Sequence, residues 1–564
     1  MNVIFPEIDF RGQRSIKAIA LALNMIIYNT GFTQDLTWFS SGNGGVVAAG
    51  PKASVQAGID ILAQGGNAVD GAVAVIFNLA VSEYGRFCIG GEAPFMFYNT
   101  NTGKVLVYNG MGSGPKDQSA IDWYYANGIP ERGLKAATVP SAVSTCLTAL
   151  EQQGTMTFEQ VIAPTLTLLD SKEKTWYANL ANTLRKMVET ERNTTGNREQ
   201  KIREARDRFY KGDIADELND FYIHSGGLLR KADLESHVTF VEEPVSVKYR
   251  GYTVNKCNTW TQGAVLLQSL KLLENFDLKS MGFFSADYVH TITEAMKLAY
   301  ADRDRYYGDP RFVKVPLRKL LSEKYARIRS PLIDMNHASK EIRPGDPYKM
   351  KATVNTGEYF PGDHGTTTCV VVDKWGNVVA ATPSANPEYG ICESLGIAHN
   401  TRLSSLNTQK GHPNSLEPGK RPRITLTPTI VLKNGKPILA MSVAGGDMQD
   451  QVGLQLLLGF IEFGKMPKDA VSLPRFMTYH TEDSFNPSPV AASRLFKIGA
   501  LDIYPTDQST IDNLKNRGHE INIVDNNIAR PVMVYIDQAT GISHAACHHL
   551  PTHGKYCAAL NIPE

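Results

Sequence analysis

Apolar runs along the chain are separated by polar, glycine-containing segments, and their spacing predicts both helices and strands. Residues 54–79 predict two helices interrupted at Gly65-Gly66. The second helix is apolar on nearly every side, which is typical of a buried helix. Another helix is predicted over residues 285–307. The charge-rich residues 170–222 have helical spacing and are predicted to form a solvated helical excursion.

A β-hairpin is predicted in the second half of the chain. Residues 366–373 are rich in β-branched side chains and bounded by turn formers, and residues 378–382 form a second apolar run. Lys374-Trp375-Gly376 between them fits a three-residue turn with Gly in the left-handed conformation. Pairing the residues that flank this turn sets the register and places Thr366 opposite Ser384.

Thr366 begins this predicted strand directly after Gly365, at the end of residues 335–365, which are polar and contain several Pro and Gly. Such a stretch predicts a mobile loop. If the Gly365–Thr366 bond were cut, the new α-amine could act as the base for the Thr366 hydroxyl. An unperturbed α-amine titrates near pH ~7.7–8.0, so it is available as a base at neutral pH. The competing interpretation of this segment is an ordinary Thr-rich edge strand.

Composition restricts the class of protein. With 564 residues, 42% hydrophobic and 20% charged, the chain is globular and long enough to bury a large core. The formal net charge of +1 provides no global field for nucleic acid or an anionic membrane, so neither is predicted as a partner. The cysteines are few, odd in number and scattered, which indicates reduced thiols rather than a disulfide framework. They are Cys88, Cys146, Cys257, Cys369, Cys392, Cys547 and Cys557.

An apolar stretch over residues 16–27 is preceded by basic residues, as in the hydrophobic region of an export signal. Glu7 and Asp9 before it, Asn24 within it and the lack of a small-x-small cleavage site soon after it argue against export. The stretch is also too short to span a membrane. A cytoplasmic protein is therefore predicted, with export as the alternative.

Several motifs occur in an order that is typical of one family. They are residues 45–49, 53–58 and 65–74, Glu83, Gly90-Gly91, residues 139–141, 226–228, 249–252 and 301–310, Thr366-Thr367, residues 373–377 and 420–422, Pro428-Thr429 and Gly445-Gly446. By these motifs the sequence resembles the γ-glutamyltranspeptidase family of N-terminal-nucleophile hydrolases, from about Gly44 to near the C-terminus.

The resemblance implies an α+β fold, a four-layer αββα sandwich. Residues 1–43 would be an extension that the resemblance does not cover, and residues 44–365 and 366–564 would be two parts of one domain. Family members cleave themselves, so the resemblance implies two chains from one precursor, cut between Gly365 and Thr366. A further assembly into a homodimer of such heterodimers is left open.

Catalytic residues follow from the resemblance, position by position. Thr366 stands where the family has its cleaved nucleophile, and Thr367 follows as in the family. Ser384 occupies the position of a second Thr that supports the nucleophile, and Asn386 that of an Asn contacting substrate. Gly445-Gly446 matches the pair whose backbone amides bind the oxyanion, and such donors typically contribute roughly a hundredfold or more to the rate.

The positions that bind the glutamate head group differ from the family pattern. Met111 stands near the position of an Arg that binds the α-carboxylate, and Ser404 stands at that of an Asp that binds the α-amine. Ile424-Thr425 replaces a Ser-Ser pair. The resemblance is therefore to a divergent branch of the family, of which at least one type is an oxamate amidohydrolase.

A small amide that bears a carboxylate would suit an arginine fork in such a site. The candidate substrate contacts are Arg86, Arg402 and Arg423.

Histidines and cysteines near the C-terminus are candidate ligands of a metal site. They are His544, Cys547, His548, His549, His553 and Cys557. Their spacing does not match a standard zinc pattern, and in the family this region has a structural position. We therefore predict no metal and no cofactor.

Three functions remain open from the sequence. The favoured one is a self-processing N-terminal-threonine amidohydrolase or acyltransferase that cleaves the amide bond of a small substrate through an acyl-enzyme. The alternatives are a genuine γ-glutamyltransferase or glutathione hydrolase, and a catalytically degenerate binding protein. Retention of Thr366, Ser384, Asn386 and Gly445-Gly446 together favours an enzyme.

Overall fold

Two antiparallel β-sheets share one apolar core and carry helices on their outer faces. The computed structural model describes residues 36–354, 366–385, 387, 391–485, 497–525, 528–548 and 554–562. The described residues from Leu36 onward form one compact unit. The predicted α+β fold with four αββα layers is confirmed.

The described strands supply both central sheets and two small ones. In chain order they are β1 (Phe39–Gly42), β2 (Gly45–Ala49), β3 (Phe95–Asn99), β4 (Lys104–Tyr108), β5 (Val241–Glu242), β6 (Val245–Tyr249), β7 (Tyr252–Lys256), β8 (Cys369–Asp373), β9 (Val378–Ala381), β10 (Ile391–Cys392), β11 (Ile397–Ala398), β12 (Thr429–Lys433), β13 (Lys436–Ala444), β14 (Phe476–Thr478), β15 (Ala500–Ile503), β16 (Glu520–Ile523), β17 (Arg530–Ile536), β18 (Ser543–Cys547) and β19 (Tyr556–Leu560).

The first central sheet has the order β19-β2-β8-β9-β3-β4-β5, and the second has the order β1-β18-β17-β13-β12-β7-β6. The small sheets are β14-β15-β16 and β10-β11. In each central sheet, strands from before and after Thr366 are neighbours. The two parts of the chain are therefore interleaved within the same hydrogen-bonded ladders.

The described α-helices form the outer layers and their connections. They are α1 (Lys52–Ala63), α2 (Ala68–Ser82), α3 (Gln118–Asn127), α4 (Ala142–Gln153), α5 (Phe158–Asp170), α6 (Tyr177–Asn193), α7 (Arg198–Lys211), α8 (Asp213–His224), α9 (Lys231–Glu235), α10 (Ala264–Leu273), α11 (Leu278–Met281), α12 (Ala286–Tyr306), α13 (Leu317–Leu320), α14 (Glu323–Arg329), α15 (Met448–Phe463), α16 (Pro467–Ala470) and α17 (Gln508–Asn516).

The central strands of the first sheet, β2, β8 and β9, are apolar on both faces because each face is covered. In β2, Val46 and Ala48 belong to the core between the sheets, whereas Val47 and Ala49 belong to the core beneath the helices. Successive side chains of a strand point to opposite faces, so two buried faces require a continuous apolar run. This explains why the strands lack a polar alternation in the sequence.

Helices α1 and α2 confirm the two helices predicted on either side of Gly65-Gly66. Asn67 caps α2, accepting the backbone N–H groups of Val69 and Asp70, while Asp70 accepts the N–H of Asn67 in return. The described side chains of α2 are buried from Ala68 to Val81, as its apolar composition predicts. Helix α12 likewise confirms the helix predicted over residues 285–307.

The prediction of a solvated excursion over residues 170–222 is wrong in one respect. The segment is helical, as α6, α7 and α8, but each helix buries one apolar face. Leu184, Phe209 and Tyr222 are among the residues that join the core beneath the first sheet. Charged residues dominate only the opposite faces, so these helices form part of the outer layer.

The predicted N-terminal extension, residues 1–43, overlaps the fold. Residues Phe39–Gly42 form β1, which pairs antiparallel with β18 at the edge of the second sheet. Of the predicted mobile loop, residues 335–354 form turns and extended segments, and residues 355–365 lie outside the described part of the chain. No described helix combines the length and apolar character needed to cross a membrane.

Asp70 connects α2 to the turn before α5, which predicts a measurable contribution to stability. Its carboxylate is fully buried and accepts the backbone N–H groups of Thr155 and Met156 at 2.9 and 3.1 Å. Asp70→Ala leaves these buried N–H donors without an acceptor and should lower the free energy of unfolding by about 2–4 kcal/mol. Urea denaturation measures this loss.

Asp122→Ala on α3 is the matched control, because Asp122 is exposed. Its effect should stay within about 0.5 kcal/mol. Equal effects of the two substitutions would contradict the role given to Asp70.

Candidate active site

Thr366 lies three residues before the start of β8 and is 2% exposed. Cys369 pairs with Ala381, and the backbone N–H of Thr367 donates to the carbonyl of Pro383 at 3.0 Å. This ladder confirms the predicted register, in which Thr366 is opposite Ser384. The regular strand begins three residues later than predicted. The edge-strand interpretation is wrong, because β8 lies between β2 and β9.

A tight turn fixes the far end of this hairpin. Gly376 has φ +83°, as predicted for the left-handed position. The Asp373 carboxylate accepts the backbone N–H groups of Trp375 and Asn377 at 2.9 Å each. It also accepts the N–H of Ala68 at the start of α2, at 2.9 Å. Asp373 therefore connects the end of β8 by hydrogen bonds to both the turn and the first residue of α2.

The two faces of β8 have different surroundings. Val370 and Val372 face the core between the sheets. The strand period of two places Thr366 on the same face. Near this end of the hairpin, the hydroxyls of Thr382 and Ser442 lie 2.9 Å apart and link the two sheets. Thr366 therefore faces the second sheet, and Thr367 faces the helical layer.

The N-terminus of α15 approaches Thr366 from the second sheet. Gln449 lies in the first turn of α15, and its carboxamide is 3.5 Å from Thr366 Oγ1 and 3.4 Å from Thr425 Oγ1. When its NH₂ group donates to the carbonyls of Val443 and Thr425, at 3.0 and 3.1 Å, its oxygen faces the Thr366 hydroxyl. Gln449 is a site residue that the sequence analysis missed.

Gly445-Gly446 connects β13 to α15. Both residues have positive φ, +146° and +54°, and a Cβ on Gly445 would lie 3.0 Å from the Ala529 Cβ. The turn therefore favours glycine on both backbone and steric grounds. It precedes the N-terminus of a 16-residue helix, where backbone N–H groups and the helix dipole favour negative charge. This setting is compatible with the predicted oxyanion site.

Ser384 is held by a buried ion pair. Its backbone exchanges two hydrogen bonds with Glu92, at 2.9 and 3.0 Å. The Arg402 guanidinium donates to both the Ser384 hydroxyl and the Glu92 carboxylate. Burial raises the pKa of Glu92 to about 7 despite the adjacent Arg402. Arg402 therefore lies behind Ser384, and the sequence analysis missed Glu92 as its partner.

The other predicted substrate arginines also have internal partners. Arg86 donates to Glu83 at 2.7 Å. Arg423 is 2% exposed and lies 3.7 Å from Asp304 and 3.6 Å from Glu482. Burial, reinforced by the charge of nearby Arg303, lowers the pKa of Arg423. The ion pairs argue against a role for Arg423 in binding substrate. Asn386, the remaining predicted contact, lies outside the described residues.

A second ion pair lies behind Thr367. The Lys555 ammonium is 3.0 Å from Thr367 Oγ1 and 3.0 and 3.1 Å from the two Glu83 oxygens. The Thr367 hydroxyl donates to Glu83. Burial alone would raise the pKa of Glu83, but Lys555, Thr367 and Arg86 hold it below its usual value. No local motif identifies Lys555 in the sequence.

The three altered head-group positions carry no charge. Met111 and Ile424 are 0% and 1% exposed and belong to the apolar core between the sheets. The Ser404 hydroxyl donates to the backbone carbonyl of Thr401 at 2.7 Å. Ile424 precedes Thr425, whose hydroxyl contacts Gln449 beside Thr366. At least one altered position therefore lies close to the candidate nucleophile.

All seven cysteines are unpaired and buried, as the sequence predicts for reduced thiols. Burial raises the pKa of Cys369, the cysteine nearest to Thr366 in sequence. Of the C-terminal histidines and cysteines, His549 and His553 lie outside the described residues. In the part of the chain that the structure describes, no three His, Cys, Asp or Glu side chains are arranged to hold a metal ion.

Comparisons with known proteins find relatives along most of the chain. A family model described as gamma-glutamyltranspeptidase matches residues 54–171 and 167–549. A glutathione hydrolase proenzyme of Escherichia coli (strain K12) is 32% identical over 494 residues, covering 77% of this chain and 80% of the relative.

Two solved structures share the fold along most of the chain. The structure of LmbA2991HD has a TM-score of 0.82 and 31% identity, covering 92% of this chain and 99% of that one. A cephalosporin acylase from Bacillus halodurans has a TM-score of 0.76 and 25% identity, covering 95% of this chain and 99% of that one.

The position of Thr366 yields a direct mutational prediction. Thr366→Ala removes the hydroxyl that faces Gln449, so it should abolish self-cleavage and lower turnover by about a thousandfold or more. Cys369→Ala removes a buried thiol on the helical side of β8 and should leave cleavage largely intact. Denaturing gels and a turnover assay measure both effects. If Cys369 proved essential while Thr366 did not, the nucleophile assignment would be wrong.

Proposed function

The chain belongs to the γ-glutamyltranspeptidase family and is a self-processing N-terminal-nucleophile amidohydrolase. On this basis we propose that Thr366 is the residue at which the chain cleaves itself and is also the nucleophile. The observation that supports this assignment is the buried Thr366 hydroxyl, which lies 3.5 Å from Gln449 in the first turn of α15 and next to the Gly445-Gly446 turn. The degenerate binding-protein alternative is set aside.

Self-cleavage requires one intramolecular acyl shift. Thr366 Oγ1 adds to the carbonyl carbon of Gly365, the Gly365–Thr366 C–N bond breaks, and an ester forms. Water then hydrolyses the ester, leaving a carboxylate on Gly365 and a free α-amine on Thr366. The products are fragments of 365 and 199 residues, the latter being 564 minus 365.

Turnover uses the new α-amine as base. It takes the proton of the Thr366 hydroxyl while the oxygen adds to the amide carbon of the substrate. The N–H groups at Gly445-Gly446 stabilise the developing oxyanion, and the leaving amine receives the proton from the α-ammonium. Water, or an acceptor amine, then attacks the acyl-enzyme ester. Ser384, held by Arg402, supports the nucleophile from the adjacent strand.

The two proposed chains would remain in one folded unit after cleavage. Strand β2 of the first part lies between β8 and β19 of the second, and β9 of the second pairs with β3 of the first. Separating the chains would break these ladders and expose the shared core, which is unfavourable. Assembly of two such heterodimers stays a prediction.

The substrate we propose is an amide whose acyl group lacks the α-amino acid head group. Met111, Ser404 and Ile424 provide no charged partner for an α-carboxylate or α-amine. Burying either charge without a partner costs several kcal/mol. The arginines that could compensate, Arg402 and Arg423, are already held by internal carboxylates.

The apolar surroundings favour an uncharged acyl group. Ile424 and Met111 belong to the same buried apolar cluster as Trp260. Thr425, which follows Ile424, contacts Gln449 beside the nucleophile. A solved structure with this fold is described as a cephalosporin acylase, so acylase chemistry occurs on this fold. The carboxylate-bearing amide expected from the sequence is the less favoured substrate.

The location in the cell stays a prediction. Seven unpaired, buried cysteines support a reducing compartment and therefore the cytoplasm. The alternative of export rests on residues 16–27, which lie outside the described part of the chain.

A matched series of anilides tests the proposed specificity. The butanoyl anilide lacks both head-group charges, the glutaryl anilide adds the carboxylate, and the γ-glutamyl anilide adds the amine as well. We expect kcat/KM to be highest for butanoyl and roughly a hundredfold or more lower for γ-glutamyl, since its charges would be unpaired. Steady-state kinetics of the cleaved protein measure the series, with glutathione as a fourth substrate.

The Thr366→Ala protein is the control for non-specific hydrolysis in this series. A kcat/KM of about 10⁴ M⁻¹s⁻¹ or more for the γ-glutamyl anilide or glutathione would contradict the proposal. That result would establish a genuine γ-glutamyltransferase or glutathione hydrolase instead.

A further inference from the structure

Three side chains meet on the face of β8 opposite the nucleophile. Thr367 comes from the residue after Thr366, Glu83 from the C-terminal end of α2, and Lys555 from the residue before β19. Lys555 donates to Thr367 Oγ1 at 3.0 Å, and Thr367 donates to Glu83. Glu83 lies 284 residues from Thr367 in the sequence, and Lys555 lies 188 residues from it.

The cluster is closed and tightly packed. Thr367 and Lys555 are fully buried, and the Glu83 side chain is 12% exposed. A Cβ on Gly50 would lie 2.5 Å from Glu83 Oε2 and 3.4 Å from Thr367 Oγ1. A buried carboxylate and ammonium are tolerated when they are paired and hydrogen-bonded. Thr367 provides one of those hydrogen bonds to each partner.

The Thr367 hydroxyl is occupied in both of its hydrogen-bonding roles. It donates to Glu83 and accepts from Lys555, and its side chain points away from Gln449 and the second sheet. Because it faces away from the Gly445-Gly446 turn, this hydroxyl is not placed to attack a carbonyl whose oxygen lies at that turn. The neighbouring threonines, Thr366 and Thr367, therefore have distinct functions.

Cleavage changes how Thr366 is held. Once the bond to Gly365 is broken, the only covalent neighbour of Thr366 is Thr367. The Thr367 backbone is fixed by its bond to Pro383, and its side chain by Glu83 and Lys555. A displacement of about 1 Å in a reacting group costs up to a hundredfold in rate, so this anchor bears directly on the chemistry.

We propose that Glu83 and Lys555 are positioning residues, which anchor Thr367 and thereby hold Thr366 in place for self-cleavage and for turnover. The inference rests on the proposed role of Thr366 as nucleophile. Because Lys555 immediately precedes β19, the anchor is complete only when the last strand has joined the first sheet beside β2. Self-cleavage therefore follows docking of that strand.

The first test compares Thr367→Val with Thr367→Ser in the full-length precursor. Valine has a similar shape but no hydroxyl, so it leaves Glu83 and Lys555 paired with each other and unattached to β8. We expect Thr367→Val to slow self-cleavage and lower kcat by about tenfold or more, with KM changed less than about threefold. Thr367→Ser keeps the hydroxyl and should restore both rates.

Turnover is normalised to the amount of 199-residue fragment, so that uncleaved protein does not lower the apparent kcat. Thr165→Val is the matched control. Thr165 is fully buried on α5, and its hydroxyl has no hydrogen-bond partner among the described residues. It should leave cleavage and kcat at the level of the unsubstituted protein.

A second test removes the charges together. Glu83→Gln or Lys555→Met alone leaves one buried charge without its partner, and each can prevent folding. The double variant Glu83→Leu/Lys555→Met avoids an unpaired charge and removes both hydrogen-bond partners of Thr367, and circular dichroism and thermal denaturation verify that it folds. We expect it to reproduce the slow cleavage and low kcat of Thr367→Val, again with KM nearly unchanged.

The outcomes separate this inference from the proposed function. If Thr366→Ala abolishes cleavage but Thr367→Val and the double variant behave as the unsubstituted protein, the positioning role is overturned and the nucleophile assignment stands. If Thr366→Ala still cleaves, and mass spectrometry places the new terminus at Thr367, both are overturned. A Thr367→Val protein with raised KM and unchanged kcat would also contradict the inference.

Discussion

The position of β8 within the first sheet is the constraint on which the candidate site depends. Its neighbours β2 and β9 come from before and after Thr366, so the strand is central and its ladder is shared by both parts of the chain. Asp373 fixes the hairpin at one end, through the turn and the start of α2. At the other end the Thr367 backbone continues the ladder to Pro383. With both ends of the hairpin held, Thr366 faces the second sheet.

From that position the two faces of the strand serve different purposes. The face towards the second sheet presents Thr366 to Gln449, beside a helix N-terminus that favours negative charge. The opposite face attaches Thr367 to a buried carboxylate and ammonium. Two buried ion pairs bind hydroxyls on this hairpin: Arg402 with Glu92 binds Ser384, and Lys555 with Glu83 binds Thr367. In both cases a pair that is costly to bury also restricts the orientation of a hydroxyl.

Local signals in the sequence were sufficient to predict the hairpin and α2, because turn formation and helix capping depend on residues only a few positions apart. Gly376 has the expected positive φ, and the register that follows from it is the one observed. The partners of the buried arginines could not be predicted in this way. Arg402 was expected to bind substrate, but its partner Glu92 lies 310 residues away, and no local pattern identifies such a pair. Lys555 was missed for the same reason. The helices over residues 170–222 were misjudged because their charged faces conceal a buried stripe.

Mass spectrometry and N-terminal sequencing of the smaller chain in the purified protein test the central claim most directly. The account predicts a fragment of 199 residues, 564 minus 365, that begins at Thr366 with a free α-amine. Incubation of freshly refolded precursor should produce the same terminus without added protease. An intact chain of 564 residues with amidohydrolase activity, or a terminus at any residue other than Thr366, would contradict the account.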